Sequence, residues 1–390
     1  MRPIEHLNRF VSDRDGFSWR GTSAGCFELT SGTWKTGPWR HTVVVVEPTK
    51  AEIRNPKSEI RNLAILYITG GEPNDPDLDE AQRIADRAGL PVAMLFNIPN
   101  QPIFEMSEDD LIAHTFEQYI DSGDPSWPLL YPMARATVRA MDGLGENGFE
   151  RFVIMGASKR GWTTWLAAAT GDPRIAGLAP MVIDNLNFPA QMAHQLECWG
   201  GYSEQIEDYT SRELQNEIDT VRGAELVQMM DPINYIDRIK CPILIVNGAN
   251  DRYWTVDALS LYWDLLPAST SCLIVPNAGH LLGDKVQMVE TVSAFAEACS
   301  QARLLPSVEM QVTAEGTTVK ATIDAPEAIE VRIWSCASES LDFRDSEWSV
   351  VSTGSNHCLE PPLANVAAMA EARMPGRTGE YSLSTPVRVF

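Results

Sequence analysis

No stretch of this chain is apolar for long enough to span a bilayer, and its first residues, Met1-Arg2-Pro3-Ile4-Glu5-His6, carry no apolar signal core. A soluble, cytoplasmic protein with no membrane partner is therefore expected. Positive charge is scarce: 31 Lys and Arg against 53 Asp and Glu leave a formal charge of -22. Such a surface repels phosphates, which excludes nucleic acid as a partner. Cysteine pairs are missing. The seven cysteines (Cys26, Cys198, Cys241, Cys272, Cys299, Cys336 and Cys358) include no C-x-x-C spacing and are odd in number. They read mostly as buried thiols, with Cys336 and Cys358 as the one pair placed to bridge two strands. No clustered His/Cys spacing and no dinucleotide fingerprint occurs, so neither a metal nor an organic cofactor is implied.

What the chain does have is a strand–turn–helix at its centre. Phe152 to Met155 is a short apolar run with β-branched members, followed by Gly156-Ala157-Ser158-Lys159-Arg160-Gly161 and then by a helical pattern from Trp162. A serine on such a corner has its Oγ lifted above the sheet edge. The helix start behind it offers free amide N–H groups to a developing oxyanion. The match to G-x-S-x-G is irregular, because Arg160 stands where the second glycine belongs. A plain corner with a capping serine is the alternative reading.

Strand and helix patterns alternate on both sides of this corner. Leu63–Thr69, Pro91–Phe96, Ile175–Ile183, Cys241–Asn247 and Ser271–Val275 read as buried strands. Helices are expected at Asp79–Ala88, Asp109–Ile120, Pro128–Leu144, from Thr255 or Asp257 to Leu266, and at Asp284–Ala302. Repeated βα units imply a mostly parallel sheet covered by helices on both faces. Residues 1 to about 60 read as a strand-rich lead-in, with a doubled Glu-Ile-Arg-Asn at 52–55 and 59–62 as a solvated loop. Residues 186–236 break the rhythm and read as a helical lid insertion; Trp199, Tyr202 and Tyr209 within it, and Trp254 after the next strand, are candidate pocket aromatics.

Two further residues fall at strand ends. Asp251 follows one predicted strand and His280 the next, and six histidines in all leave little choice of base. Ser158, Asp251 and His280 stand in the chain order of α/β-hydrolases, where the imidazole takes the serine proton and the carboxylate orients the imidazole. Asp184, also after a strand, is the alternative acid. Gly70-Gly71-Glu72 sits at another strand end, so the amide of Gly71 or Glu72 and that of Lys159 are the candidate oxyanion donors.

The run from Gly156 through Trp165, continuing to Ala179-Pro180-Met181-Val182-Ile183-Asp184, resembles the PhoPQ-activated pathogenicity-related protein family, as do Ile68-Thr69-Gly70-Gly71, Tyr202-Ser203, Asp208-Tyr209 and Asn247-Gly248-Ala249-Asn250-Asp251. The resemblance implies an α/β-hydrolase fold with Ser158, Asp251 and His280 in the triad positions. The irregular elbow is then a family trait. Members of that family are often exported, unlike the expectation from this N-terminus. The Ser-Lys pair is also similar to glucuronoyl esterases, which implies that the Lys159 side chain adds positive charge near the oxyanion; pairing with an acid is the alternative.

After Leu305-Pro306 the rhythm stops. Ser307–Val312, Thr317–Ile323, Ala328–Ser335 and Trp348–Ser352 read as short strands, and the alanine-rich Leu363–Ala372 as a helix. The expected organisation is a hydrolase domain over 1–305 and a small immunoglobulin-like β-sandwich over 306–390. The expected activity is that of a serine esterase on a small-molecule, carbohydrate or peptide ester. A peptidase with the same triad and a non-catalytic binding or signalling module are the alternatives.

Overall fold

Leu63-Ala64-Ile65-Leu66-Tyr67-Ile68 is buried at every position, as a strand with helices on both faces must be. The structure, a computed structural model, describes residues 2–49, 62–315, 318–354, 356–359 and 365–390. The doubled Glu-Ile-Arg-Asn segment, apart from Asn62, lies outside them. In chain order the N-terminal part contains α1 (Pro3–Ser12), β1 (Ser18–Ser23), β2 (Cys26–Trp34), β3 (Gly37–Val46), β4 (Leu63–Ile68), α2 (Asp75–Ala88), β5 (Val92–Leu95), α3 (Glu108–Ser122) and α4 (Leu130–Glu146). The centre contains β6 (Arg151–Ala157), α5 (Lys159–Ala169), β7 (Ile175–Met181), α6 (Phe188–Trp199), α7 (Glu207–Thr210), α8 (Val221–Met230), β8 (Ile243–Gly248), β9 (Thr270–Val275) and α9 (Val286–Ser300). Strands β10 (Glu309–Glu315), β11 (Thr318–Asp324), β12 (Glu330–Ser338), β13 (Ser349–Thr353), β14 (Asn356–Leu359), β15 (Asn365–Gly376), β16 (Gly379–Ser384) and β17 (Arg388–Val389) complete it.

The sheet runs β1-β2-β3-β5-β4-β6-β7-β8-β9-β16-β15-β12-β13. Strands β5, β4, β6, β7, β8 and β9 are mutually parallel. Their C-terminal ends therefore share one rim, where ligands bind in sheets of this kind. Helices α4 and α5 lie over one face, in a core with Trp165 and Phe152; α2 and α9 lie over the other, with Phe295 and Val153. This is the α/β-hydrolase architecture. Among the described residues no helix is long and apolar enough to cross a membrane.

The C-terminal region is β-rich and two-layered, but one layer continues the central sheet. Ser384 of β16 pairs with Cys272 of β9, and the Ser384 Oγ accepts from Ile274 N at 2.7 Å. The second layer is the sheet β10-β11-β14, whose Ala321 and Ile323 pack on Ile333 and Ala370. The change of rhythm at residues 305–306 is thus a change of secondary structure across an unbroken sheet. Cys336 is a free buried thiol, and the side chain of Cys358 lies outside the described residues.

Three local expectations need correction. The lead-in begins with α1, which has Pro3 in its first turn, Glu5 accepting from Arg2 N at 3.1 Å, and Leu7 and Val11 buried one turn apart. The Ala-rich segment is strand β15, buried between neighbours on both edges, where alanine lets the layers approach; packing overrides helix propensity there. The helix expected after Asp257 is two 3₁₀ turns, Ala258–Leu261 and Trp263–Leu265.

Candidate active site

Ser158 closes β6 with φ 56° and ψ -130°, a left-handed backbone that costs a residue with a Cβ about 1–3 kcal/mol. Its N–H donates to Met181 O at 2.8 Å, and its carbonyl accepts from Trp162 N at 3.0 Å, so β7 and α5 hold the turn from both sides. The second glycine of the elbow works one residue late. A Cβ on Gly161 would stand 2.6 Å from Ile183 Cγ2 and 3.0 Å from the carbonyl oxygens of Gly156 and Met181. Position 161 is therefore where the helix must touch the sheet, and Arg160 is released for another task.

His280 and Asp251 meet on the same rim. The His280 Nδ1 lies 2.8 Å from Asp251 Oδ2, and Tyr253 N donates to Asp251 Oδ1 at 3.0 Å. The Tyr253 ring lies on the imidazole with centroids 4.3 Å apart. The loops after β8 and β9 approach closely: Asn250 N donates to Ala278 O at 2.9 Å, and a Cβ on Gly248 would stand 2.4 Å from that oxygen. With Nδ1 given to Asp251, the ring keeps Nε2 for another partner. Ser158 and His280 line one cavity. No hydrogen bond joins them among the described residues; catalytic contacts often tighten only when substrate binds.

Asp184 faces elsewhere. Its Oδ1 accepts a hydrogen bond from the Tyr262 hydroxyl. Burial pushes its carboxyl up to about 7 against that hydrogen bond, and the charge of Asp251 adds to the rise. The carboxylate on His280 is that of Asp251.

The residues proposed around the oxyanion separate. The Lys159 amide opens α5 beside Ser158, but its ammonium is bound by Glu108 Oε2 at 2.7 Å and Asp109 Oδ2 at 3.1 Å. The side chain is thus paired with acids rather than free to meet an oxyanion. Arg160 donates to both carboxylate oxygens of Glu108 at 2.8 and 2.7 Å and to Ile98 O at 2.6 Å. Its guanidinium also fills the space above Gly70, where a Cβ would stand 2.1 Å from Nη2. Gly71 and Glu72 lie beyond it, exposed and outside the cavity lining. Glu108 was not singled out in the sequence, because acids in a first helical turn ordinarily only complement the helix dipole.

The cavity beside Ser158 measures about 90 Å³ and is roofed by the segment between β7 and β8. Tyr209 and Trp254 line it, and the Tyr209 hydroxyl donates to Asp109 Oδ1 at 2.9 Å. Trp199 and Tyr202 do not line it: Arg344 covers the Trp199 ring at 4.2 Å, and Tyr202 packs on the cluster of Met192 and Ile206. Asp231 fixes the base of the roof by accepting from Phe188 N at 2.7 Å and Ile233 N at 3.1 Å.

Among the described residues, His194, Cys198 and Asp257 form the one group spaced to hold a metal ion. His194 Nε2 lies 2.9 Å from Asp257 Oδ1 and 3.5 Å from Cys198 Sγ. The hydrogen bond to Asp257, helped by Cys198, raises the imidazole to about 10. The His194–Asp257 contact ties α6 to the loop after β8.

The C-terminal region buttresses the loops that carry Asp251 and His280. Asn250 Nδ2 donates to Ser346 O at 2.8 Å, while Asn277 Nδ2 donates to Trp348 O at 2.9 Å and Asn277 Oδ1 accepts from Trp348 N at 2.7 Å. Arg344 and Arg252 both pair with Glu204 at 2.9 Å.

With the geometry established, known proteins supply context. The family described as PhoPQ-activated pathogenicity-related protein matches residues 17–344. Autocrine proliferation repressor protein A of Dictyostelium discoideum is 31% identical over 350 residues, spanning 82% of this chain and 69% of that protein. Among solved structures, acetyl xylan esterase 1 from a Thermoanaerobacterium species aligns with TM-score 0.52 and 15% identity over 76% of this chain and 93% of that one. An acetyl xylan esterase from a Paenibacillus species aligns with TM-score 0.51 and 13% identity over 76% and 92%. At such identities these two speak for the fold.

Proposed function

The chain belongs to the PhoPQ-activated pathogenicity-related protein family, and from that premise we propose that it is a serine hydrolase acting on a carboxylic ester through Ser158, His280 and Asp251. The observation that carries the reading is the Asp251–His280 hydrogen bond of 2.8 Å on the rim that also bears the strained Ser158, with serine and imidazole facing one cavity. Ser158 Oγ attacks the substrate carbonyl carbon. His280 Nε2 takes the hydroxyl proton and returns it to the leaving alcohol, while Asp251 holds the Nδ1 proton and steadies the imidazolium. The carbonyl oxygen turns toward the Lys159 amide at the start of α5, where helix N–H groups have no internal partner. Water then repeats the sequence on the acyl-enzyme.

The paired acids on Lys159 and Arg160 give the turn its stiffness. They cross-link α3, the loop after β5 and the first turn of α5 directly beside the nucleophile. The experiment is covalent labelling with a fluorophosphonate probe. Wild-type labelling that disappears in Ser158→Ala supports an activated nucleophile, and an unlabelled wild type favours the non-catalytic module. Turnover of peptides in preference to nitrophenyl esters by a labelled enzyme would favour the peptidase.

A further inference from the structure

We infer that the acyl portion of the substrate is an uncharged, medium-length apolar chain or ring held under the β7–β8 segment, rather than an acetyl group. The inference rests on the hydrolase reading of Ser158. Its first support is the chemistry of the cavity wall. Phe116, Trp162, Met192, Ile218, Leu226 and Met230 present carbon to the space beside Ser158 from α3, α5, α6 and the roof. Burying each methylene of a ligand against such a wall is worth about 0.8 kcal/mol.

Size points the same way. The cavity of about 90 Å³ is several times the roughly 10–15 Å³ that a single water needs. An acetyl methyl would leave most of that space empty or filled with water against an apolar wall.

Charge narrows the class further. Among the described residues, the carboxyl groups on the lining are Asp109, Glu217 and Asp231, and its one ammonium, Lys159, is already held by Glu108 and Asp109. A carboxylate on the acyl chain would enter an acidic, largely apolar space without a free cation to meet it.

The direction follows from the proton's path. His280 hands its proton to the leaving group, so the leaving group must lie against the imidazole, whose side chain is 26% exposed. The acyl chain departs from the same carbonyl away from that ring, toward α3 and the roof.

The experiment measures kcat/KM for nitrophenyl acetate, butyrate, hexanoate and octanoate, alongside fluorophosphonate labelling of Ser158. Specificity is expected to climb roughly fourfold per methylene and to flatten once the cavity is full. A nitrophenyl ester of a chain ending in carboxylate should fall at least about tenfold below its methyl-ended counterpart. The half-buried lining residues Ile120 and Leu214 allow a second arm: Ile120→Trp and Leu214→Trp should each cut the octanoate-to-acetate ratio about tenfold or more. A flat or falling acyl series in an enzyme whose Ser158 is labelled overturns the inference and leaves the hydrolase standing. Absence of Ser158 labelling removes the hydrolase reading itself.

Discussion

Replacing Glu108 by Gln tests the ionic clamp on the turn that bears Ser158. Burial alone would raise this carboxyl; the hydrogen bonds and charges of Arg160, then those of Lys159, outweigh it and hold it at about 2 against an ordinary 4.5. Its folded value is depressed, so its stabilisation is complete above pH 4.5 and is lost as pH falls from there toward 2. Taken at face value the drop corresponds to about 3 kcal/mol at 1.36 kcal/mol per pH unit. The side chain is 41% exposed, and solvent screening reduces this to about 1–2 kcal/mol. Glu108→Gln keeps the shape, while Lys159 retains Asp109 and Arg160 retains Ile98 O. Urea unfolding followed by tryptophan fluorescence at pH 7 should therefore show the variant about 1–2 kcal/mol less stable, at an unchanged slope. Between pH 4.5 and 3 the two curves should converge. A gap of constant size across that range would show that lost shape, and not lost charge, causes the destabilisation, and the ionic account of this turn would fail.

Other outcomes follow from the same geometry. Asp251→Asn should lower kcat/KM by about 10⁴, because the imidazole loses its tautomer control, whereas Asp184→Asn should stay within about tenfold, since Asp184 bonds Tyr262 and not His280; steady-state kinetics on one nitrophenyl ester decides both. The same Asp184→Asn variant should flatten a loss of stability between pH 4 and 7: with the folded carboxyl raised to about 7, the folded state holds a proton that the unfolded chain releases nearer 3.8, so stability falls as pH rises through that window. Gly161→Ala should cost about 1–3 kcal/mol in thermal unfolding and slow Ser158 labelling, because the new methyl meets Ile183 and two carbonyl oxygens. Asn185 lines the cavity with its Oδ1 buried and unpartnered among the described residues, so Asn185→Leu should raise stability by about 1 kcal/mol, read from the melting curve.

Much of the scaffold could be read from the chain because parallel strands buried on both faces leave continuous apolar runs, and those runs carry the rim residues on their ends. Ser158, Asp251 and His280 fell at three such ends. The chain does not show which side chain fills a gap. Lys159 and Arg160 are visible as cations beside a serine, but their commitment to Glu108 depends on where α3 lands, fifty residues upstream. Arg160 likewise fills the space over Gly70, while Gly71 and Glu72 stay outside the cavity lining, which no local pattern could reveal. Trp199 and Tyr202 have the composition of pocket aromatics, yet Trp199 at the end of α6 lies under Arg344, and Tyr202 beyond it packs on a neighbouring cluster. Strand β15 misled for a related reason: alanine favours a helix when exposed but suits a crowded central strand.

The asparagine anchors of the two rim loops imply a division of labour. Asn250 and Asn277 moor the acid and base loops to Ser346 and Trp348, while the roof over the cavity comes from the separate segment between β7 and β8. The two meet at Glu204 of that segment, which pairs with Arg252 beside Asp251 and with Arg344 of the C-terminal region. Cutting the chain before Ser346 would therefore remove the moorings of both loops together with β15 and β16, which extend the central sheet.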